Sequence, residues 1–264
     1  MPKIIGIVSG KGGVGKTTVT ANLGLYLSKV GKDVTIVDCN VTTSHLGFNF
    51  GFYSYEKTLN NLLRGEATLE EVIYNYGNLK IIPASLSLND LINLDLFAIG
   101  QFLRNIKSEF VFLDSAPGIG REPMSVLTAA EEVILVAIPY MNAISDVIRI
   151  KKILLTLNVK TRGIILNMVK HLPHELTVPE VERLTGLEVI GEIPYDENVN
   201  KALSYGVPLI EYNPFAPSAI AIKNIGDSLI GRHAKLNYSF WEKLKLGFRN
   251  LFLRKKITDL NELI

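Results

Sequence analysis

The sequence predicts an α/β protein in which a mostly parallel, twisted β-sheet is covered by helices on both faces. Short apolar runs rich in β-branched residues recur without polar alternation, as is typical of strands buried on both faces. Helical patterns separate these runs, which favours right-handed crossovers between parallel strands. A glycine-rich segment joins the first predicted strand to the first predicted helix, and such segments let a backbone approach a ligand closely.

The predicted elements alternate along the chain. The strands cover residues 4–8, 34–37, 79–82, 110–113, 133–138, 161–166 and 187–193. Helical patterns lie between them, for example over residues 17–29, 145–157, 179–184 and 217–230. Glycine commonly ends a helix, and three of these patterns are followed by one, at Gly31, Gly186 and Gly231. We therefore expect one α/β domain over residues 1–232, followed by a tail over residues 233–264.

Composition excludes several classes of protein. The chain has 264 residues and a net charge of +2, which is too small for a protein that binds nucleic acid with its whole surface. A single cysteine, Cys39, excludes an intramolecular disulfide or a cysteine-based metal site within one chain, and it fits a reducing cytoplasm. Apolar runs are too short for a membrane-spanning helix, and residues 4–8 are expected to form a strand rather than a signal peptide.

Residues 10–17 form the most specific motif of the chain. They read Gly-Lys-Gly-Gly-Val-Gly-Lys-Thr and match G-x-x-x-x-G-K-[ST] between a predicted strand and a predicted helix. Backbone N–H groups of such a loop surround phosphates, and the helix N-terminus adds partial positive charge. Lys16 is expected on the β- and γ-phosphates and the Thr17 hydroxyl on Mg²⁺. The motif therefore predicts a P-loop NTPase whose phosphate site comprises Gly10, Lys11, Gly12, Gly13, Val14, Gly15, Lys16, Thr17 and Thr18.

A carboxylate ends the predicted strand 110–113. Asp114 is the candidate for the Mg²⁺ shell, and residues 115–120 form a small-residue loop that is able to move with the γ-phosphate. The alternative is that Asp114 only caps the helix that follows.

Three segments together resemble the deviant Walker A ATPases of the MinD/ParA family. They are the paired lysines of residues 11–18, Val-Asp-Cys-Asn at 37–40 and Asp-Ser-Ala-Pro-Gly at 114–118. The resemblance covers about residues 1–230 and is strongest to archaeal-type MinD-like proteins. It implies ATP and Mg²⁺ as cofactors and a face-to-face homodimer enclosing two ATP molecules. In that dimer Lys11 contacts the partner's phosphates, unless it is merely a solvated lysine, while Asp38 joins Thr17 and Asp114 around the metal.

Two residues depart from the family pattern. Relatives carry Asp-x-Asp where this chain has Asp38-Cys39-Asn40, and an amide cannot accept a proton from the attacking water. We therefore expect slow hydrolysis, whether Asn40 belongs to a natural slow switch or was introduced to trap the ATP-bound dimer. Tyr140 stands where many MinD sequences have glutamate, so cross-dimer contacts are expected to differ. The catalytic candidates are Lys11, Lys16, Asp38 and Asn40.

The resemblance also implies where the base binds. Asn167 at a strand end and the loop containing Pro194 and Asp196 correspond to positions that contact adenine in the family. An amide can pair with the edge of adenine, and proline supplies a flat apolar wall. The alternative is that these residues only form turns at strand ends. The four histidines are scattered and are expected on the surface or in loops rather than as metal ligands.

The tail is basic and aromatic. Residues 240–256 carry six basic side chains and one acid, and on a helix six of the apolar residues share one side. This pattern suits an anionic membrane surface and resembles the membrane-targeting helix of MinD. The alternative is a last helix packed on the α/β domain. The membrane candidates are Phe240, Trp241, Leu244, Phe248, Leu251 and Phe252, with Lys243 and Arg249.

These observations predict an ATPase switch that dimerises with ATP, binds the inner face of the cell membrane peripherally and organises cell-division or other membrane partners. An unidentified protein activator or cargo is expected. One rival is a ParA-type partition ATPase whose tail binds DNA, but an apolar stripe favours lipid over nucleic acid. Another rival is an ATP-gated scaffold without hydrolysis.

Overall fold

The computed structural model describes residues 1–91 and 94–232. Within them, eight strands form one sheet in the order β3-β4-β2-β5-β1-β6-β7-β8, and all neighbours are parallel except β3 and β4. The strands are β1 (Lys3–Val8), β2 (Val34–Cys39), β3 (Tyr74–Tyr76), β4 (Leu79–Ile82), β5 (Phe110–Ser115), β6 (Glu132–Ala137), β7 (Lys160–Val169) and β8 (Val189–Pro194). This confirms the predicted fold class.

The helices of the described residues cover both faces of the sheet. They are α1 (Lys16–Lys29), α2 (Leu59–Leu63), α3 (Ile99–Leu103), α4 (Arg121–Ala129), α5 (Met141–Leu157), α6 (Val178–Thr185), α7 (Glu197–Ser204), α8 (Leu209–Tyr212) and α9 (Pro217–Leu229). Short 3-10 segments lie at Gly47–Phe50, Glu70–Val72, Leu88–Leu91 and Leu96–Ala98. None of these helices is long and apolar enough to cross a membrane.

Alternate residues of each central strand enter two separate hydrophobic clusters. On β5, Val111 and Leu113 face the cluster that contains α4, α5 and α6, whereas Phe110 and Phe112 face the cluster that contains α1 and α9. All six residues of β5 are buried. Burial on both faces explains why the strands lack polar alternation in the sequence.

All seven predicted strands are present, with small shifts at their ends. The prediction missed β3, a three-residue strand at the edge of the sheet, because so short a segment carries almost no pattern. It also missed α2, α3, α4, α7 and α8, the longest of which has nine residues. The predicted C-terminal helix and the predicted tail domain of residues 233–264 lie outside the described residues.

The parallel strands place one set of loops at the same edge of the sheet. The loops that follow β1, β2 and β5 are neighbours because these strands are adjacent in the order β2-β5-β1. In parallel sheets, ligands bind at the carboxyl ends of strands where the order reverses direction. The fold therefore brings residues 9–15, 40–46 and 116–120 together.

Glycine 191 allows α9 to lie close against β8. A Cβ at Gly191 would overlap the side chain of Ile225. We expect Gly191→Ala to lower the free energy of unfolding by about 1–3 kcal/mol, because overpacking forces side chains and backbone to move. Urea unfolding followed by circular dichroism measures this.

The matched control is Gly100→Ala on α3. The nearest atom to a Cβ there is Ala129 Cβ at 3.9 Å, an ordinary contact distance. Alanine in a helix is more favourable than glycine by up to about 1 kcal/mol, so this control should be neutral or stabilising. Equal losses in both variants would contradict the close approach at Gly191.

Candidate functional site

The loop between β1 and α1 is shaped by glycine. Gly13 and Gly15 have φ angles of 77° and 81°, in the left-handed region that favours glycine. Gly15 immediately precedes α1. Because glycine has no side chain, no side-chain hydrogen bond caps the first turn of this helix. The N–H groups at the start of a helix are anion-binding groups when no side chain caps them. The loop therefore has the geometry expected of a phosphate site.

A cleft of about 510 Å³ opens at this loop. The cleft is lined by eight residues of the predicted phosphate site, Lys11 to Thr18. Its other walls come from the loop after β2, the loop after β5 and the end of α7. The lining residues outside the phosphate loop are Ser9, Asn40, Thr43, His45, Phe48, Asn49, Pro117 and Leu203.

Lys16 and Asp114 form a buried ion pair behind the cleft surface. The Lys16 Nζ lies 2.5 Å from Asp114 Oδ1, and the side chains are only 6% and 1% exposed. The Thr20 hydroxyl donates to the same carboxylate oxygen at 3.3 Å. Asp114 does not cap α4, whose first flanking residue is Gly120, so the capping alternative is wrong. In the described residues, Asp114 Oδ2 is buried and has no hydrogen-bond partner.

Asp38 lies opposite Asp114 in the register between β2 and β5. It is fully buried and accepts hydrogen bonds from Ser44 Oγ at 2.7 Å, Asn40 N at 3.0 Å and Leu46 N at 3.2 Å. Burial, followed by the nearby charge of Asp114, raises the pKa of Asp38 to about 7, while the three donors act in the opposite direction. Asp38 therefore fixes the loop after β2 and does not itself line the cleft.

Asn40 lines the cleft, but both polar atoms of its side chain are engaged. Its Nδ2 donates to Thr43 O at 2.8 Å, and its Oδ1 accepts from Thr43 Oγ1 at 3.0 Å. The residue is 7% exposed. These bonds hold the loop in a compact turn.

The second loop lysine stands in a different environment. Lys11 is 41% exposed, and its Nζ lies 3.9 Å from Asp146 Oδ2 on α5. A Cβ at Gly10 would overlap Asp146, so the start of α5 packs directly against the phosphate loop. No sequence pattern indicates Asp146 as a neighbour of this loop, because its position depends on tertiary packing alone.

The residues that are predicted to contact adenine lie in two different environments. Asn167, 7% exposed, donates from Nδ2 to Val14 O at 2.8 Å and lies against Gly15, at the wall of the phosphate loop. Asp196 instead caps α7 by accepting from Asn198 N at 2.9 Å, and it also accepts from Ser218 Oγ at 2.8 Å. These bonds lower the pKa of Asp196 against the effect of its burial.

Pro194 ends β8, and neither it nor Asp196 lines the cleft in this structure. Asp196 caps α7 directly after the end of β8, in agreement with the alternative that these residues only form turns at strand ends. Tyr140 precedes α5, and its hydroxyl donates to Glu175 Oε1 at 3.2 Å.

Two segments beside the phosphate loop are tied to each other. The backbone N–H and the hydroxyl of Thr42 both donate to Glu122 Oε1, at 2.8 and 2.7 Å. Thr42 belongs to the loop after β2, and Glu122 belongs to the first turn of α4, directly after the loop that follows Asp114. The two loops therefore share a hydrogen-bonded connection at the surface.

Sequence reasoning missed Thr43, His45, Phe48, Asn49 and Leu203 as cleft residues. The loop after β2 was recognisable, because loops at the carboxyl edge of a parallel sheet line the ligand site. Leu203 was not, because α7 is distant in sequence and reaches the cleft through packing.

The fold and this cleft define a class of protein, the P-loop nucleotide-binding α/β proteins. A parallel sheet, a glycine loop at a helix N-terminus and a strand-end aspartate paired with the loop lysine are its shared features. Residues 5–209 match the family model of the CobQ/CobB/MinD/ParA nucleotide binding domain, and the chain belongs to this family.

Similar proteins agree with this assignment. An ATP-binding protein of Methanocaldococcus jannaschii is 35% identical over 230 residues, covering 86% of this chain and 87% of that protein. The solved septum site-determining protein MinD of Pyrococcus horikoshii, complexed with Mg-ADP, is 30% identical with a TM-score of 0.84, covering 89% and 100%. A MinC:MinD complex from Aquifex aeolicus is 25% identical with a TM-score of 0.79, covering 89% and 98%.

The comparisons confirm the predicted resemblance to archaeal-type MinD-like proteins and the prediction of a P-loop ATPase. They also agree with the predicted cofactors ATP and Mg²⁺, since the relatives are ATP-binding proteins and one solved structure holds Mg-ADP.

The buried carboxylate of Asp38 should make stability depend on pH. The folded chain keeps a proton on Asp38 up to about pH 7, whereas the unfolded chain releases it near its ordinary pKa of 3.8. The folded state thus binds more protons between these values, so the contribution of this group to stability is complete below about pH 4 and is lost as pH rises through 7. We expect Asp38→Asn to remove this loss.

The measurement is the free energy of urea unfolding at pH 5 and pH 8, without nucleotide or Mg²⁺. Asp95→Asn is the control, because Asp95 is an exposed carboxylate that caps a short 3-10 segment and asparagine preserves the cap. If Asp38→Asn and the parent chain lose the same stability between pH 5 and pH 8, the buried protonated state of Asp38 is wrong.

Proposed function

We propose that this chain is an ATP-dependent switch of the MinD type, which dimerises when it binds ATP and attaches to the membrane surface in that form. The observation that carries the proposal is the contrast between the two loop lysines. Lys16 is buried on Asp114, whereas Lys11 stands at the cleft with 41% exposure and only a long contact to Asp146. A lysine that is accessible beside a phosphate site is able to serve the phosphates of a second copy.

The residues around the cleft have distinct proposed roles. Lys16 exchanges its contact with Asp114 for the β- and γ-phosphates, and the backbone N–H groups of residues 10–18 surround them. Mg²⁺ fits the oxygen groups present: the Thr17 hydroxyl, Asp38 and Asp114, whose Oδ2 is buried without a partner in the described residues. When bound, Mg²⁺ neutralises charge on the phosphates.

The same buried carboxylates explain how a nucleotide would alter the loops. If Lys16 left Asp114 for the phosphates, the carboxylates of Asp114 and Asp38 would lose their counter-charge, and together with Thr17 they would hold a Mg²⁺ ion that supplies it. Asp38 accepts hydrogen bonds from Ser44 and Leu46, so the same carboxylate belongs to the proposed metal shell and orders the loop after β2.

We propose that adenine lies against Asn167, with Pro194 and Asp196 shaping the adjoining turn.

Residues 233–264 are proposed to be the membrane-targeting segment. The support is the sequence pattern, in which Phe240, Trp241, Leu244, Phe248, Leu251 and Phe252 share a helix face with Lys243 and Arg249 beside it. One copy of such a segment binds weakly, and a dimer carrying two copies binds more tightly through avidity. This places the protein peripherally at the inner face of the cell membrane, where it would organise cell-division or other partners.

A partner protein is proposed to bind the ATP-bound dimer. One similar solved structure is a complex of MinD with MinC, and this supports a protein partner without identifying it for this chain.

Vesicle binding tests the switch. We expect the full chain to sediment with anionic phosphatidylglycerol vesicles in ATP and Mg²⁺ but not in ADP or without nucleotide. Truncation after Tyr238 should abolish this binding, because it removes the apolar and basic face. Neutral phosphatidylcholine vesicles and Phe248→Glu are matched controls, and both should bind at least tenfold less.

Other outcomes favour the rivals. Retention of the full chain on DNA with no vesicle binding would support the partition ATPase. Vesicle binding that ignores nucleotide would contradict the switch. ATP-dependent binding without any turnover would support the scaffold.

Asn40→Asp tests the expected slow hydrolysis. A carboxylate at this position accepts a proton from the attacking water, whereas the amide does not, so we expect steady-state turnover of Mg-ATP to rise at least tenfold. Affinity for a fluorescent ATP analogue should stay within about threefold, which controls for a damaged site. A variant that hydrolyses ATP no faster than the parent would remove Asn40 as the cause of slow turnover.

A further inference from the structure

The surface of the cleft, as the described residues form it, lacks a carboxylate. Among the described residues that line it there is no aspartate or glutamate. Asp38 is 0% exposed and is occupied by three donors, and Asp114 is 1% exposed and paired with Lys16. Neither carboxylate is therefore placed to take a proton from a water molecule within the cleft.

Asn40 cannot fill this role either. Both polar atoms of its side chain are engaged with Thr43, and an amide does not accept a proton near neutral pH. Hydrolysis of ATP in this cleft therefore requires another proton acceptor, or proceeds without one.

His45 is the one lining residue of the described cleft whose side-chain type accepts a proton near neutral pH. It lies on the same loop as Asn40 and is exposed to solvent. Its ring centroid lies 5.8 Å from that of Phe48, and its carbonyl oxygen accepts from Asn49 Nδ2 at 3.3 Å. His45 therefore both lines the cleft and is exposed to bulk water.

The backbone that carries His45 is fixed on both sides. Ser44 Oγ and Leu46 N both donate to Asp38 Oδ2, at 2.7 and 3.2 Å. A catalytic group gains efficiency when the surrounding structure holds its position before the reaction. Since Asp38 also belongs to the proposed metal shell, the loop that presents His45 is tied to the phosphate end of the cleft.

We propose that His45 is the catalytic general base of ATP hydrolysis in this chain, an inference that rests on the ATPase function proposed above. The water oxygen forms a bond to the γ-phosphorus, the bond from that phosphorus to the bridging oxygen breaks, and ADP leaves with the electron pair. The imidazole of His45 takes a proton from the water and returns it to solvent. Lys16 of the same chain and Lys11 of a second copy stabilise the phosphate charge, as in the function proposed above.

The test compares the full chain with His45→Gln. We expect the turnover of saturating Mg-ATP at pH 7.5 to fall by tenfold to a hundredfold in the variant, as is common when a general base is lost. Binding of a fluorescent ATP analogue should change less than threefold. The matched control is His174→Gln, an exposed histidine that contacts Tyr140 and does not line the cleft, and it should leave turnover unchanged.

The pH profile separates a general base from a structural residue. A general base loses its effect once it is protonated, so the ratio of parent to His45→Gln turnover should fall as the pH is lowered from 7.5 to 5.5. Groups that both chains retain, Asp38 among them, cancel from this ratio. Asn40→Asp in the His45→Gln background should restore at least part of the turnover, since it supplies a carboxylate on the same loop.

Each remaining outcome decides the proposal. Turnover within twofold of the parent, or a ratio that does not vary with pH, would overturn the role of His45 while leaving the ATPase switch intact. A parent chain that binds ATP and dimerises without turnover would also overturn it, in favour of the scaffold. A parent chain that does not bind ATP would overturn the proposed function itself.

Discussion

The ion pair between Lys16 and Asp114 joins parts of the molecule that are far apart in the sequence. Lys16 begins α1, and Asp114 stands near the end of β5, which lies between β1 and β2. Both side chains are almost completely buried. Removing two charges from water costs several kcal/mol per ion, and mutual attraction offsets this cost only when the geometry is good. The pair therefore fixes the relation between the phosphate loop and the central strands.

Asp38 adds a second buried carboxylate beside this pair, and together the two carboxylates exceed the charge that one lysine balances. The excess is accommodated by the raised pKa of Asp38 and by its three hydrogen-bond donors. A site whose negative charge exceeds the positive charge beside it attracts a cation. The same arrangement stiffens the loop after β2, so metal affinity and loop order are properties of one set of groups.

Much of the fold and of the phosphate site could be predicted from the sequence. The phosphate loop was recognisable because its glycines and lysines have fixed spacing, and Asp114 was recognisable because it ends a buried apolar run. The remaining contacts of the site depend on tertiary packing. Asp146 reaches the phosphate loop because α5 packs against β6 and β7, and Leu203 reaches the cleft because α7 lies beside Gly47–Phe50. Neither contact leaves a local pattern in the sequence, and the bond from Ser218 of α9 to Asp196 likewise depends on tertiary packing.

The bond from Thr42 to Glu122 has a consequence for communication across the molecule. It connects the loop held by Asp38 to the first turn of α4. Coupling between two binding events is reciprocal, so each changes the affinity of the other by the same factor. If a molecule that binds the outer surface of α4 favours the loop arrangement that nucleotide favours, it would tighten nucleotide binding in the same proportion as nucleotide tightens its own binding.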